Sequence, residues 1–410
     1  MKKYFILLVA ALSLAACEKD FQPVAENAEL NDVVQNNKVS LKQALLYAEN
    51  SINGIKPTTR GAERKVKSTE IYVAKPATRS AEGTEVSFYL INYEDNQGFA
   101  MVSTDSRATP VYAYSDDGSL TAKDFETNPF LKIFIEGSVE NYQIEVANNS
   151  IYDPIEWPDS SNRDILRLPI VEYNGGLYYE DLRMEEVTKP ALLTTYWDQY
   201  APYNFFCDNK VGGCAPVAAA QIMAYHKHPA QHNGHTYYWD AMTATPTLNE
   251  GIGATSAARL IADIGEEADA YYEPNGDYTE VRNMQDMKNA FEAFGYNCSN
   301  PSSYDISEIK ENINAELPVY MRGSDYDAND GHGWVVDGYR SQTFTVTYYY
   351  TYAPYNLYDS YVSSSRTYLH YNTGKGPSHE EQTHNNGYYL ADSYRYNGNI
   401  MIISDITPNN

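Results

Sequence analysis

Several common catalytic signatures are absent from this sequence, and so is any excess of positive charge. The 410 residues contain no G-x-S-x-G, no H-E-x-x-H and no P-loop pattern, so the motifs typical of α/β-hydrolases, zinc peptidases and nucleotide hydrolases are missing. Lysine and arginine number 30 against 55 aspartate and glutamate residues, which gives a formal net charge of −25. Because such a surface repels polyanions, we expect no nucleic acid and no anionic lipid surface as a partner.

Long apolar runs are also scarce, and the clearest one lies at the amino end. Residues 5–14 are apolar, follow two lysines and are too short to span a bilayer, which is typical of an export signal. The run ends in LAAC, which resembles a bacterial lipobox and predicts a signal peptide at 1–16 with lipidation of Cys17. An ordinary signal peptide beside an incidental cysteine is the alternative. Since no later run predicts a transmembrane helix, we expect an exported lipoprotein anchored at the outer membrane or cell surface. Processing could then release the protein from its anchor.

Cysteine is rare, with four residues in the chain. Lipidation would use Cys17. Cys207 and Cys298 could form a disulfide in an oxidising compartment, but the sequence does not decide this. Cys214 is then the odd thiol of an exported protein, and it needs a chemical reason.

The surroundings of Cys214 predict a reactive thiol. In VGGCAPVAAAQIMAYHKHP, two glycines precede the cysteine and an alanine-rich apolar run follows it. The thiol is therefore expected at the start of a helix, where free N–H groups and the helix dipole stabilise a thiolate. Pro216 fits the first turn, because no intrahelical hydrogen bond is lost there. The alternative is a small buried cysteine on a core helix.

The chain divides into a front and a second domain. Residues 17–39 are polar and predict a tether. Helical spacing after Ser40, three β-rich runs and an apolar helix predict a front domain of helix, antiparallel sheet and helix at 40–150. Residues 151–188 predict a connecting or processing segment with short strands. Helical patterns followed by strands predict a second domain of the α+β class at 189–410.

A cysteine nucleophile needs a base and a group that orients the base. His332 is the candidate base, because it begins a strong strand pattern between two glycines in DGHGWVVDGY; a structural histidine is the alternative. Trp334 is expected to wall the cleft. The Gln199 side chain and the Cys214 backbone N–H are the predicted oxyanion donors. Asn372 is predicted to accept a hydrogen bond from the His332 ring and fix its tautomer.

Four histidines lie close together in the sequence after the cysteine helix. A metal site formed by them would need a fixed spacing on one helical face, but Pro229 ends the helix after the second histidine. We therefore expect no metal and no organic cofactor. The residues are His226, His228, His232 and His235.

Several separated segments together resemble the streptopain family of cysteine peptidases, in the papain clan. GCAPVAAAQIMAYHKHP is similar to the nucleophile motif, GHGWVVDGY to the histidine motif and TTYWDQYAPYN to the oxyanion segment. YLINYEDNQGFAMVSTDSRATPVYAYSDDG resembles the family's inhibitory propeptide. The resemblance implies a papain-like catalytic domain behind an inhibitory propeptide. It assigns Cys214 as nucleophile, His332 as base and Gln199 to the oxyanion site.

One departure from the family pattern follows Asn372. The family continues H-x-N with W-G-W, whereas this chain has Thr373-Gly374-Lys375-Gly376. The resemblance implies a zymogen of a cysteine endopeptidase that acts on proteins or peptides and is inhibited by its own propeptide. The alternatives are a surface binding protein that keeps the fold without activity, and a cysteine acyltransferase on the same scaffold.

Overall fold

The computed structural model describes the chain in segments between residues 37 and 409. The predicted signal peptide, Cys17 and nearly all of the predicted tether lie outside the described residues, as does the first half of the predicted connecting segment. No helix among the described residues is long and apolar enough to cross a membrane. The described residues are 37–55, 64–74, 85–148, 170–208, 210–276, 278–324, 331–352, 354–377, 383–394 and 399–409.

The described residues form a mixture of helices and antiparallel strands. The helices are α1 Leu41–Ile55, α2 Asp124–Thr127, α3 Pro129–Ala147, α4 Cys214–His226, α5 Trp239–Met242, α6 Gly251–Glu267, α7 Met284–Ala293 and α8 Ile306–Asn314, with 3-10 turns at Glu94–Asn96 and Ala391–Tyr394. The strands are β1 Val66–Ala74, β2 Val86–Tyr93, β3 Phe99–Ser103, β4 Val111–Ser115, β5 Ile170–Tyr173, β6 Gly176–Lys189, β7 Gln231–His232, β8 His235–Thr236, β9 Tyr271–Tyr272, β10 Thr279–Glu280, β11 Tyr296–Asn297, β12 Ser302–Ser303, β13 Val319–Ser324, β14 Gly331–Tyr350, β15 Leu357–Asn372, β16 Gly387–Leu390, β17 Met401–Ile403 and β18 Thr407–Pro408.

The front domain, residues 37–148, follows the predicted order of helix, sheet and helix. The Ser40 side chain caps α1 by accepting from the Gln43 N–H at 3.2 Å, as its position in the sequence predicts. At the start of α3, Asn128 accepts from the Phe130 N–H at 3.0 Å and Pro129 occupies the first turn. The edge strand β1 has no counterpart among the predicted elements. Almost all of its residues are exposed, so it lacks the alternating pattern of a half-buried strand.

The second domain, residues 170–409, is built around α4. All but three of its residues are buried, and the helix packs against α6 on one side and β14 on another. Helix α4 has no polar face because it is enclosed by the second domain. Small alanine side chains allow this close packing, so an alanine-rich run predicts a central helix here.

One antiparallel sheet runs through both domains. Its strand order is β1-β2-β3-β4-β16-β15-β14-β13-β17-β12, and the two domains meet where β4 pairs with β16. At this junction Tyr114 lies opposite Tyr388 and Ala113 opposite Tyr389. Since β4 covers the free edge of β16, the front domain hydrogen-bonds directly to the sheet of the second domain.

The second half of the predicted connecting segment belongs to this sheet. Strand β6 pairs with β14 from Lys189 opposite Tyr339 to Tyr178 opposite Tyr350, and β5 pairs with β6. Residues 170–188 are therefore integrated into the second domain by a long hydrogen-bonded ladder.

Helix α3 makes a close contact between the domains. A Cβ on Gly137 would lie 1.6 Å from the Ser393 carbonyl oxygen, so only glycine permits this approach. Next to it, the Ser138 hydroxyl lies 3.0 Å from the Ser393 hydroxyl. At the start of α3, the Phe130 ring packs edge-on against Trp334 and Tyr389 with centroids 5.2 and 5.1 Å apart.

A buried cation also joins the domains. Arg340, on β14, donates to the Ser51 carbonyl of α1 at 2.6 Å and to the Tyr114 hydroxyl at 3.2 Å. Its other terminal nitrogen lies 2.6 Å from the Glu186 carboxylate of β6. The Arg340 side chain is only 5% exposed. Two of its polar partners, Ser51 and Tyr114, belong to the front domain.

Candidate active site

The position of Cys214 agrees with the sequence prediction, since it is the first residue of α4. The preceding Gly213 has a φ of +91°, and a Cβ there would lie 2.9 Å from Thr279. Glycine is required by both the backbone conformation and the space. The tight approach leaves the half-buried sulfur at the amino end of the central helix, where the helix dipole favours a thiolate.

The environment of Cys214 lowers its pKa. Burial by itself raises the pKa of the thiol, but the charge of His332 and its hydrogen bond to the sulfur outweigh this effect, with smaller contributions from the Gly333 N–H and the charge of Arg322. The Gly333 N–H lies 3.3 Å from the sulfur. The net result is a pKa below the ordinary value of a thiol, which increases the thiolate fraction.

His332 comes from β14 and meets the amino end of α4. Its side chain is buried, and its Nε2 lies 2.8 Å from the Thr373 carbonyl oxygen. Because a carbonyl oxygen only accepts, Nε2 carries a hydrogen. In the neutral imidazole Nδ1 is then unprotonated, and it is the nitrogen available to take a proton from Cys214.

The predicted role of Asn372 is corrected by this geometry. The acceptor for His332 Nε2 is the backbone carbonyl of the next residue, Thr373. The Asn372 amide instead pairs with the amide of Gln221 on α4, with both distances 3.0 Å, and donates to the Thr195 carbonyl at 2.6 Å. Strand β15 ends at Asn372, so the chain direction changes there and the following carbonyl is presented to the histidine.

Asn372 and Gln221 nevertheless organise the site. Besides pairing with Asn372, Gln221 Oε1 accepts from the Thr195 hydroxyl at 3.0 Å and the Trp197 N–H at 3.1 Å. This buried group joins α4, β15 and the segment that leads to Gln199. Removing one member leaves buried polar partners unsatisfied, so the group fixes these three segments relative to one another.

Gln199 lies beside the loop that carries Cys214. Its carbonyl accepts from the Gly212 N–H at 2.8 Å, and its own N–H donates to the buried Asp198 carboxylate at 2.6 Å. The backbone of Gln199 is therefore fixed against Gly212, which lies two residues before Cys214 in the sequence. Asp198 has no predicted role in the sequence, because a carboxylate that caps its own turn lacks a distinctive pattern.

Trp334 lies beneath the histidine. Its ring is fully buried and nearly parallel to that of His332, with centroids 6.0 Å apart and an interplanar angle of 20°. Phe130 of the front domain contacts its edge. Trp334, the predicted wall of the cleft, is a fully buried side chain next to the histidine in the two-domain chain.

The four neighbouring histidines have separate surroundings. His232 Nε2 lies 2.9 Å from Glu267, and His235 Nδ1 lies 2.9 Å from Asp263. Within the described residues, no group of three or more histidine, cysteine, aspartate or glutamate side chains is arranged to hold a metal ion. Cys207 and Cys298 are free thiols in this structure.

Two family models match this chain in the order of its two domains. Residues 36–141 match the Spi protease inhibitor model, and residues 197–389 match the Peptidase C10 family model. The second domain is therefore a Peptidase C10, or streptopain-family, domain, and the front domain is the propeptide domain of a zymogen. The resemblance inferred from the sequence motifs is confirmed.

One curated relative is the thiol protease/hemagglutinin PrtT of Porphyromonas gingivalis, 26% identical over 347 residues. The match spans 75% of this chain and 37% of the relative.

Two solved structures come from Prevotella intermedia. A fragment of prointerpain A matches with a TM-score of 0.50 at 17% identity, covering 81% of this chain and 98% of that one. Active interpain A matches with a TM-score of 0.37 at 20% identity over 53% of this chain and 94% of that one. The likeness to prointerpain A confirms the predicted fold, a papain-like α+β domain preceded by a propeptide domain.

Proposed function

We propose that this chain is the zymogen of a cysteine endopeptidase. The observation that supports it most is the meeting of Cys214 and His332, in which the thiol pKa is lowered and His332 Nε2 is held by a carbonyl. A thiolate paired with a fixed imidazole is the arrangement needed for nucleophilic attack on a carbonyl. Membership in a peptidase family supports proteins or peptides as substrates.

In the proposed mechanism the thiol proton moves to His332 Nδ1. The thiolate attacks the carbonyl carbon of the scissile peptide bond, and the C=O electron pair moves onto oxygen. When the tetrahedral intermediate collapses, the C–N bond breaks and His332 gives its proton to the leaving amine. Water, deprotonated by the same histidine, then attacks the thioester to release the carboxylic product and restore the thiol.

The oxyanion is assigned to the Gln199 side chain and the Cys214 backbone N–H. The Gln199 backbone is anchored through Gly212 and Asp198, and the Cys214 N–H is at a helix start, where it lacks an intrahelical acceptor. Preorganised donors of this kind stabilise charge that appears only in the transition state. Removing one donor typically lowers kcat by about 10²–10³-fold.

The front domain is proposed to keep the enzyme inactive until it is cut away. It pairs with the sheet through β4 and packs Phe130 on Trp334, next to the histidine. A cut within β6 would have to break its ladder with β14. We therefore expect the activating cut on the amino side of β5, so that β5 and β6 stay with the mature enzyme.

The membrane anchor is a separate part of the proposal. The LAAC motif supports lipidation of Cys17 after signal cleavage and hence an exported, membrane-attached protein. Labelling with a radioactive fatty acid in a bacterial host should be lost in Cys17→Ala. Equal labelling of both proteins would remove this part of the proposal without affecting the peptidase.

Casein hydrolysis after limited proteolysis tests the enzymatic proposal. The wild-type chain should gain activity, whereas Cys214→Ala and His332→Ala should remain inactive and Cys298→Ala should behave like the wild type. Iodoacetamide should block activity together with modification of Cys214. A correctly cut wild-type protein without activity would favour a binding protein, and activity in Cys214→Ala would refute the nucleophile.

A further inference from the structure

Asn386 lies immediately before β16 and reaches the loop that holds the histidine. Its side chain is buried, and its Oδ1 accepts from the Thr373 N–H at 2.9 Å and the Thr373 hydroxyl at 3.1 Å. The carbonyl of the same Thr373 accepts from His332 Nε2 at 2.8 Å. One side chain therefore fixes the amide and hydroxyl of the residue whose carbonyl fixes the histidine.

The position of Thr373 explains why this support matters. The β15–β16 ladder ends where Tyr371 lies opposite Gly387, and β15 ends at Asn372. Thr373 is thus beyond the strand pairing, and the next residue, Gly374, has a φ of +66°. Without a ladder, the orientation of the Thr373 peptide depends on other hydrogen bonds. Asn386 supplies two of them.

Asn386 is itself held in place. Its backbone N–H donates to His384 Nδ1 at 3.2 Å, and His384 Nε2 lies 3.4 Å from the Asp117 carboxylate of the front domain. Next to it, the Asn385 side chain donates to the Ser119 carbonyl at 2.7 Å. The loop that presents Asn386 therefore rests on a turn of the front domain.

We infer that Asn386 is a positioning residue for the Cys214–His332 pair, acting through Thr373. This inference rests on the proposed peptidase function. Asn386 contacts neither the sulfur nor the imidazole in the described contacts, so its effect is on geometry. With Thr373 held, Nε2 keeps its acceptor and Nδ1 stays available to Cys214. With Thr373 released, the peptide can rotate, and the imidazole loses the bond that selects its tautomer.

The test compares Asn386→Ala with Asn386→Asp in the activated enzyme. Alanine removes both acceptor contacts, and kcat per titrated thiol should fall by roughly 10–100-fold with a much smaller change in KM, as expected for misplaced catalytic groups. Aspartate keeps an oxygen at the same place and should restore much of kcat. Its negative charge should also move the acidic limb of the pH–rate profile upward, because it favours the imidazolium.

Alkylation provides a readout that does not depend on turnover. The pH dependence of iodoacetamide modification of Cys214 should move to higher pH in Asn386→Ala, since the imidazolium partner is less well placed. Thr373→Val removes only the hydroxyl contact and should give a smaller, few-fold loss. It also serves as the test if the alanine variant does not fold.

Two results would overturn the inference: a wild-type kcat per titrated thiol in Asn386→Ala, or an unchanged alkylation profile with only the fraction of active protein reduced. If Asn386→Ala does not fold, a wild-type kcat and alkylation profile in Thr373→Val would do the same. An inactive wild-type enzyme would refute the proposed function instead, and the alkylation profiles would still report whether Asn386 orders the pair.

Discussion

Replacing Gly137 with alanine should loosen the front domain while strengthening the helix that carries it. Gly137 lies in the middle of α3, where its missing Cβ allows contact with the Ser393 backbone. The obstructing atom belongs to the main chain, so a rotamer change cannot relieve the clash. The substitution therefore separates the intrinsic stability of α3 from the quality of its docking.

The substitution has one effect on the helix itself and another on its docking, and only the second changes the docking free energy. Alanine is more favourable than glycine in a helix interior by about 1 kcal/mol, and α3 gains this whether docked or undocked. Docking loses about 1–3 kcal/mol from overpacking and about 1 kcal/mol from the Ser138–Ser393 hydrogen bond. The docking free energy should thus weaken by about 2–4 kcal/mol, or roughly 30- to 700-fold in the docking equilibrium.

Hydrogen exchange in the full chain measures this change. A Cys214→Ala background prevents self-cleavage during the experiment. Backbone amides of Ala391–Tyr394 and of β16 should exchange faster by roughly the docking factor, because opening of the interface exposes them. In a chain with the cysteine intact, the same substitution should speed activation by limited proteolysis. Gln143→Ala, half-buried on the same helix, is the control for substitution in α3.

The reasoning would be refuted by unchanged exchange at Ala391–Tyr394 in Gly137→Ala. Such a result would mean that the backbone shifts at little cost and that the close approach does not hold the domains together. Faster exchange confined to α3 would contradict the expected gain in helix stability. Equal acceleration in Gln143→Ala would show that the effect is not specific to this contact.

Three further predictions concern charges. Arg340→Gln should speed activation by limited proteolysis about tenfold or more, because its buried bonds to Ser51 and Tyr114 cross the domains; a wild-type activation half-life would contradict this. Burial raises the pKa of Asp117, but the bond to His384 and its charge lower it to about 2. Its contribution to docking is therefore present above the unfolded pKa near 3.8 and is lost as the pH falls toward 2. In the Cys214→Ala chain, opening of the domain interface, measured by hydrogen exchange, should increase as the pH is lowered. This increase should be smaller in Asp117→Asn. In Arg322→Gln the pKa of the Cys214 thiol should rise, which an unchanged alkylation profile would refute.

The sequence was most informative where a local pattern coincides with burial. The start of helix α3 is marked in the sequence by Asn128 and Pro129, and the apolar residues of the helix are mostly buried. Strand β14 runs through Ser341 without a break, because it pairs with β15 on one side and with β6 on the other. The pairing of β4 with β16 joins residues far apart in sequence, and no local pattern encodes it.

For the candidate site, residue type pointed to Cys214 and His332 but not to the groups that support them. Cys214 and His332 stand out because their neighbours are glycines and their chemistry is distinctive. Thr373 acts through its backbone carbonyl, and a carbonyl is present in every residue, so the sequence provides no signal for it. Asn386 is one of two consecutive asparagines in a polar segment, and only the fold distinguishes it from Asn385.

The use of a backbone carbonyl also bears on the missing tryptophan after Asn372. The His332 contact is made by the backbone carbonyl of residue 373 and requires a peptide in the correct orientation. A threonine can therefore present the acceptor if neighbouring groups hold its peptide. Asn386 bonds to its N–H and hydroxyl, and Asn372 fixes the preceding strand end to α4 through Gln221. In this chain the histidine is thus constrained by the Thr373 carbonyl and by the residues that hold the loop around Thr373.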